Sequence, residues 1–214
     1  MSPSSIDTLM AVLDRYAGLL QTLDDPARQM GPQIVWTGPD DLATVQALER
    51  ASGFPLPGDL TAFYLAHGGI DVGQGWGALS LFSAGRLLAN TTQASPERYP
   101  LRHGLLDFIH GVWEGRPEFD EAFSAEQTAQ LNRAYLVIGM TALDDDTHRY
   151  LFLDRAGRCG ALWFNQDCID DEHLETLHQM LQTSPARSDF CTALAAEVQV
   201  AIERLHPRHV TVRA

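Results

Sequence analysis

The chain has 214 residues and a formal net charge of −13, with 45% apolar and 20% charged residues. Its length allows a substantial core, and its composition excludes wholesale disorder. The charge argues against nucleic-acid binding, which needs clustered basic side chains, and is compatible either with a basic protein partner or simply with solubility.

The N-terminal segment and the cysteines indicate a cytoplasmic protein. Apolar residues recur every three or four positions over residues 5–23, which predicts an amphipathic helix and not a secretory signal. No window reaches the ~18 apolar residues that a membrane span requires. Cys159, Cys168 and Cys191 form no CxxC pair, so we expect reduced thiols, no zinc site and no other cofactor.

Residues 42–69 show the most informative pattern of the chain: a helix, a Leu-Pro turn, a second helix and a Gly-Gly stop. The first helix carries on one face Leu42, Val45 and Leu48. The second carries Leu60, Phe63 and Tyr64. Gly53 ends the first helix, Pro57 suits the first turn of the second, and a left-handed Gly68 closes it.

This order of elements resembles the opening motif of the SUKH superfamily. The family's members include bacterial immunity proteins and domains like the yeast cell-wall assembly regulator. The residues that match the motif are Glu49, Gly53, Leu56, Pro57, Phe63, Tyr64, Gly68 and Gly69. A following apolar strand over 76–82 and three apolar runs up to residue 165 extend the resemblance over residues 38–170. We expect Glu49 to accept hydrogen bonds from backbone near Gly68 and Gly69.

The remaining elements predict an α+β fold in one domain spanning residues 1–214. Apolar runs at 135–140, 149–154 and 161–165, separated by turn residues, predict an antiparallel meander covered by helices. One short strand is predicted at 34–36 and one helix near 105–113. Two helices over 170–205, like the N-terminal helix, are additions to the core. Among the aromatic residues, Trp76, Trp163 and Phe164 are expected in the core.

Residues 134–175 hold nine acidic residues and three arginines, the strongest charge asymmetry of the chain. This pattern suits a partner-facing rim, although a solvated turn followed by acids at a helix N-terminus is the more common explanation. The candidate contact residues are Asp144, Asp145, Asp146, Asp167, Asp170, Asp171, Glu172 and Glu175. The turn lacks the alternating ligands of a calcium loop, so we expect no metal there.

The resemblance implies a non-catalytic, protein-binding domain. The favoured hypothesis is a bacterial immunity protein that neutralises a cognate toxin, such as a basic nuclease, by occlusion. The alternative is a regulatory or scaffold module that binds an endogenous protein. An enzyme is not expected, because the chain has no GxSxG elbow, no HExxH pair and no lysine for phosphate or Schiff-base chemistry.

Overall fold

The fold is built on one antiparallel sheet. A computed structural model describes residues 5–22, 30–73, 76–92, 104–112, 121–144, 146–165 and 171–205. The strands within these ranges are β1 (Met30–Trp36), β2 (Ile70–Gly73), β3 (Leu79–Leu81), β4 (Tyr135–Ala142), β5 (Thr147–Asp154) and β6 (Cys159–Asn165). The helices of the same ranges are α1 (Ser5–Thr22), α2 (Leu42–Ser52), α3 (Gly58–His67), α4 (Ala84–Thr92), α5 (Leu105–Val112), α6 (Ala125–Ala134), α7 (Asp171–Met180) and α8 (Phe190–Leu205).

The six strands lie side by side in the same order as in the sequence, and every neighbouring pair is antiparallel. This architecture confirms the α+β class and the meander predicted over 135–165. The strand predicted at 34–36 is the end of β1, and the one predicted over 76–82 shortens to β3. Three elements were not predicted: β2, α4 and α6. None of the helices in the described ranges combines the length and apolar composition needed to cross a membrane.

Helices cover both faces of the sheet. Neighbouring residues of β5 point to opposite faces, so their contacts show which helix covers each face. On one face, Arg149 donates from Nε and Nη2 to the two carboxylate oxygens of Glu197 in α8, at 3.0 and 2.8 Å. On the other face, the Tyr150 ring lies 5.4 Å from the Phe108 ring in α5. The sheet is therefore the middle layer of the described structure.

The motif around the Leu-Pro turn forms as predicted, except at Leu42, Glu49 and Gly68. Gly53 takes the left-handed conformation at φ 69° and ends α2. The Glu49 carboxylate accepts the Leu56 N–H at 3.1 Å, which ties α2 to the turn. The residues buried from α3 are Leu60, Phe63 and Tyr64. Leu42 is not on the buried face: it is 53% exposed, because α2 begins there and only later residues reach the core.

The Gly68-Gly69 pair marks the closest approach between this motif and the sheet. Gly68 ends α3 with φ 71° and ψ −124°, which is not the left-handed helical conformation predicted for it, and a Cβ atom there would lie 1.9 Å from the Gly38 carbonyl oxygen. The Gly69 N–H donates to Thr37 Oγ1 at 2.6 Å. The expected contact of Glu49 with this pair is therefore wrong, because Thr37 occupies that position and, among the described residues, the Glu49 carboxylate accepts its hydrogen bond from Leu56.

Arg155, in the turn between β5 and β6, joins three segments. Its Nε donates to the Arg133 carbonyl at the end of α6, and its Nη1 donates to the Gly53 carbonyl. The guanidinium carbon lies 4.2 Å from the centroid of the Phe54 ring. A planar cation can make these contacts together, so Arg155 fixes the Leu-Pro turn against the sheet.

Candidate partner-binding surface

Two of the aspartates predicted as a partner-facing rim lie at the described ends of the turn between β4 and β5. Asp144 Oδ1 accepts hydrogen bonds from the N–H groups of Asp146, at 3.0 Å, and Thr147, at 2.6 Å. Burial acts to raise the pKa of Asp144, but these hydrogen bonds and the positive charge of Arg204 outweigh it and lower the pKa. Asp144 thus shapes the turn, while Asp146 is half-exposed. Asp145 lies outside the described residues.

The second group of predicted acids begins α7. Asp171 and Glu172 are exposed in its first turn, where the helix dipole favours negative charge. Glu175 is exposed one turn later and accepts a hydrogen bond from Gln179 Nε2 at 3.1 Å. Two predicted acids lie outside the described residues: Asp167 and Asp170. The described acids of α7 therefore face solvent.

The turn and the start of α7 lie at the same end of the sheet. Thr147, directly after the turn, pairs with Asn165, the last residue of β6, and Asn165 Nδ2 donates to Thr147 Oγ1 at 3.0 Å. The first turn of α7 returns to this point, since the His173 ring lies 4.3 Å from the Trp163 ring and 5.1 Å from the Phe164 ring. We call the following residues the acidic end: Asp144, Asp146, Asp171, Glu172 and Glu175.

Trp163 is an exposed aromatic beside the acidic end, although it was predicted in the core. It is 42% exposed, whereas Phe164, its neighbour in β6, is 1% exposed as predicted. The reason is that β6 is the last strand of the described sheet, so Trp163 has a neighbouring strand on one side only. Exposed tryptophans are among the residues that contribute most to protein interfaces.

A second exposed aromatic, Trp36, lies at the opposite edge of the sheet. It is 37% exposed, and its ring lies 5.0 Å from the ring of His67 and 6.0 Å from that of Phe63. His67, at the end of α3, therefore packs against aromatic rings of both β1 and α3. Trp36 belongs to the packing between β1 and α3, and no acidic cluster was predicted beside it.

One group of side chains has the composition of a cation site. Oxygen atoms of Asp59 and Asp189 and the sulfur of Cys191 lie within 4.8 Å of one another. However, Asp59 accepts the N–H groups of Leu60, at 3.0 Å, and of Cys191, at 3.2 Å, and Asp189 accepts the Thr192 N–H at 2.8 Å. Both carboxylates thus accept N–H groups from the first turn of α8, where the helix dipole favours negative charge, and Asp59 itself lies in the first turn of α3. The geometry is that of two carboxylates capping one helix.

The described thiols favour their neutral form. Burial, reinforced by nearby carboxylates such as Asp59, raises the pKa of Cys159 to about 12 and that of Cys191 to about 11. A nucleophilic or metal-binding cysteine needs the thiolate, which nearby positive charge stabilises and these carboxylates oppose. Both residues therefore act as small buried side chains.

The most heavily bonded carboxylate, Asp154, is also structural. Although burial acts to raise its pKa, hydrogen bonds from the Arg158 and Ala156 N–H groups, the Ser184 hydroxyl and the Arg158 guanidinium lower the pKa overall. These partners belong to the β5–β6 turn and to the segment before α8. Asp154 thus joins two parts of the chain.

Two open grooves are present among the described residues. One, of about 580 Å³, lies between α5 and α6 and includes Asp107 and Arg133. The other, of about 330 Å³, follows α7 and includes Ser184 and Arg187. The residues whose pKa values are shifted by burial or hydrogen bonds, among them Asp144, Asp154 and Cys159, line neither groove.

Comparison with known proteins gives no family assignment. No protein-family model matches the chain, and no curated protein is significantly similar to it in sequence.

Proposed function

We propose that this chain is a SUKH-like protein-binding domain, acting as an immunity protein that neutralises a cognate toxin by covering its catalytic face. The observation that carries the proposal is the acidic end, where exposed carboxylates of α7 and half-exposed carboxylates of the β4–β5 turn lie beside an exposed tryptophan. The order of helix, Leu-Pro turn, helix, Gly-Gly and antiparallel meander supports the resemblance to that family.

The charge of this surface favours a basic partner. Asp171 and Glu172 are solvent-exposed, and the whole chain carries a formal charge of −13. Enzymes that cleave nucleic acid are commonly basic, because they bind a polyanion. Opposite charges speed the encounter of two proteins and reject partners of the same sign. A desolvated aromatic such as Trp163 then contributes to the lifetime of the complex.

The proposal requires no chemistry of this chain. The lowered pKa values of Asp144, Asp154 and Asp189 each arise where the carboxylate accepts hydrogen bonds in a turn or helix cap. The raised pKa values of Cys159 and Cys191 oppose a nucleophilic role. The proposal assigns the protein to the cytoplasm, where such thiols stay reduced.

Co-expression with the product of the adjacent reading frame tests the proposal. We expect the neighbouring protein alone to be toxic to the host cell and the pair to permit growth, with the two proteins purifying as a complex. Toxicity that persists in the presence of this chain would contradict the proposal. A harmless neighbour that still forms the complex would favour the alternative, a regulatory or scaffold module with an endogenous partner.

A further inference from the structure

The outer edge of β6 presents unused backbone groups. Cys159 and Ser188 exchange both of their backbone hydrogen bonds, at 2.8 and 3.3 Å, so the N–H and C=O of Cys159 point away from β5. Backbone direction alternates along an antiparallel strand, and the same groups of Ala161 and Trp163 therefore point outward as well. No hydrogen bond of these outward groups occurs among the described residues. The edge is already paired at one end by the chain's own Ser188, and beyond it no described residue pairs with the strand.

β6 also lacks the features that protect edge strands from pairing. Its sequence over Cys159–Asn165 contains no charged residue and no proline, and its register with β5 is continuous. The opposite edge, β1, contains Pro32, has an irregular register between Met30 and Val35, and packs against α1. Proteins normally blunt an exposed edge by such devices. The outer edge of β6 is therefore regular enough to pair with a further strand.

The charges around this edge select its occupant. The Trp163 ring contacts His173, so Asp171 and Glu172 lie within one helical turn of it. Arg149, which pairs with Trp163 on the neighbouring strand β5, has its positive charge neutralised by the ion pair with Glu197. An incoming strand therefore meets negative charge at the edge, with an aromatic side chain as its neighbour.

We propose that an extended, basic segment of the protein partner pairs with the free edge of β6 at Ala161 and Trp163, as an additional antiparallel strand beside the acidic end. The pairing supplies main-chain hydrogen bonds, Trp163 packs on side chains of the incoming strand, and Asp171 and Glu172 select basic residues. A second copy of this chain is disfavoured, because β6 paired with itself would bring the acids of two molecules together. This inference deepens the proposed function by naming the binding mode.

Amide hydrogen exchange measured by NMR tests the pairing directly. The probe is a peptide of about ten alternating threonine and arginine residues at about 1 mM, a concentration that detects weak binding. We expect the Ala161 and Trp163 amides to exchange rapidly in the free protein and at least about tenfold more slowly with the peptide, as newly paired groups do. The same peptide with glutamate replacing arginine, or with N-methylated arginines, should have no effect.

Two results would overturn the pairing. One is unchanged exchange at Ala161 and Trp163 in the presence of the basic peptide, whether it fails to bind or binds elsewhere. The other is protection of these amides in the free protein that disappears on dilution, which would identify a second copy as the occupant.

Variants separate the backbone from the charges. Ala161→Pro removes one outward N–H, and proline is tolerated on an edge strand at such a position. We expect it to weaken peptide binding at least about tenfold while circular dichroism stays unchanged. Asp171→Asn with Glu172→Gln alters exposed side chains only and should weaken binding about fivefold at low salt. The matched control, Asp14→Asn with Glu126→Gln, removes the same charge from α1 and α6 and should leave binding unchanged.

Co-expression distinguishes this inference from the proposed function. If the wild type and Ala161→Pro protect cells equally from the neighbouring protein, strand pairing is overturned and the immunity function stands. If the neighbour is harmless while the basic peptide still slows exchange at Ala161 and Trp163, the immunity function is overturned and strand pairing stands.

Discussion

Replacing Gly69 by alanine tests the contact that joins the helical motif to the sheet. A Cβ atom at this position would lie 2.4 Å from the Leu81 carbonyl oxygen and 2.7 Å from the Ser83 nitrogen. Both neighbours are backbone atoms, so relief requires the start of β2 to move away from the end of β3. Overpacking costs about 1–3 kcal/mol, and we expect Gly69→Ala to lower the free energy of unfolding by about 3 kcal/mol, because no flexible side chain can yield.

Urea unfolding followed by tryptophan fluorescence measures this effect. The matched control is Gly58→Ala at the start of α3, where a Cβ atom would meet nothing within 4 Å. We expect Gly69→Ala to lower the unfolding midpoint at an unchanged m-value, and Gly58→Ala to leave it unchanged or raise it slightly. Equal stability of the two variants would refute the close approach of Gly69 to β3.

Asp154→Asn should lower stability at pH 7 by about 2 kcal/mol, because the carboxylate accepts bonds from Arg158 and the Ser184 hydroxyl. The pKa of Asp154 is lowered in the folded protein. Its contribution to stability is therefore complete above the unfolded pKa of about 4 and is lost as pH falls through the folded pKa. Unfolding measured at several pH values should show the stability difference between wild type and Asp154→Asn shrinking over that range. Arg155→Ala should cost about 2 kcal/mol, and Arg155→Lys should recover less than half, because lysine lacks the fork that reaches both carbonyls; thermal unfolding compares them. Cys159 should react with iodoacetamide at pH 8 at least about 100-fold more slowly in the folded than in the unfolded protein, measured by site-resolved mass spectrometry; an equal rate would contradict its burial and raised pKa.

Periodicity in the sequence predicts the elements that contribute regular apolar faces to the core. The strands β4, β5 and β6 appear as apolar runs, and the helices α1, α7 and α8 as stripes at helical spacing. Shorter elements give weaker patterns. β2 has four residues and buries only Ile70 and Val72, too few for a strand pattern to stand out. α6 does carry a local signal, a capping box in which Ser124 and Gln127 bond each other's backbone, and that signal could have located its start.

The candidate surface depends on tertiary placement more than on local pattern. The acidic residues are evident in the sequence, but their position at one end of the sheet follows from the pairing of Thr147 with Asn165 and from the return of α7 to Trp163. An apolar run such as Ala161–Phe164 reads the same in a central strand and in an edge strand. The exposure of Trp163 therefore could not be predicted from the run itself.

For Glu49, the sequence predicted the type of interaction correctly but not the residue that it contacts. Glu49 does accept a backbone N–H, as expected, but from Leu56 in the turn and not from the Gly68-Gly69 pair. Either the Glu49 carboxylate or the Thr37 hydroxyl could accept the Gly69 N–H, and the position of the chain directly after β1 places Thr37 there. Nothing in the sequence around Thr37 indicates this role.

The association rate constant of this protein with the product of the adjacent reading frame, measured as ionic strength rises, tests whether the acidic end guides binding. We expect the rate constant to fall steeply with salt. We also expect Asp171→Asn with Glu172→Gln to lower it at low salt, and Asp14→Asn with Glu126→Gln to lower it less. A rate that is independent of salt, or that responds equally to both pairs of substitutions, would contradict binding through the acidic end.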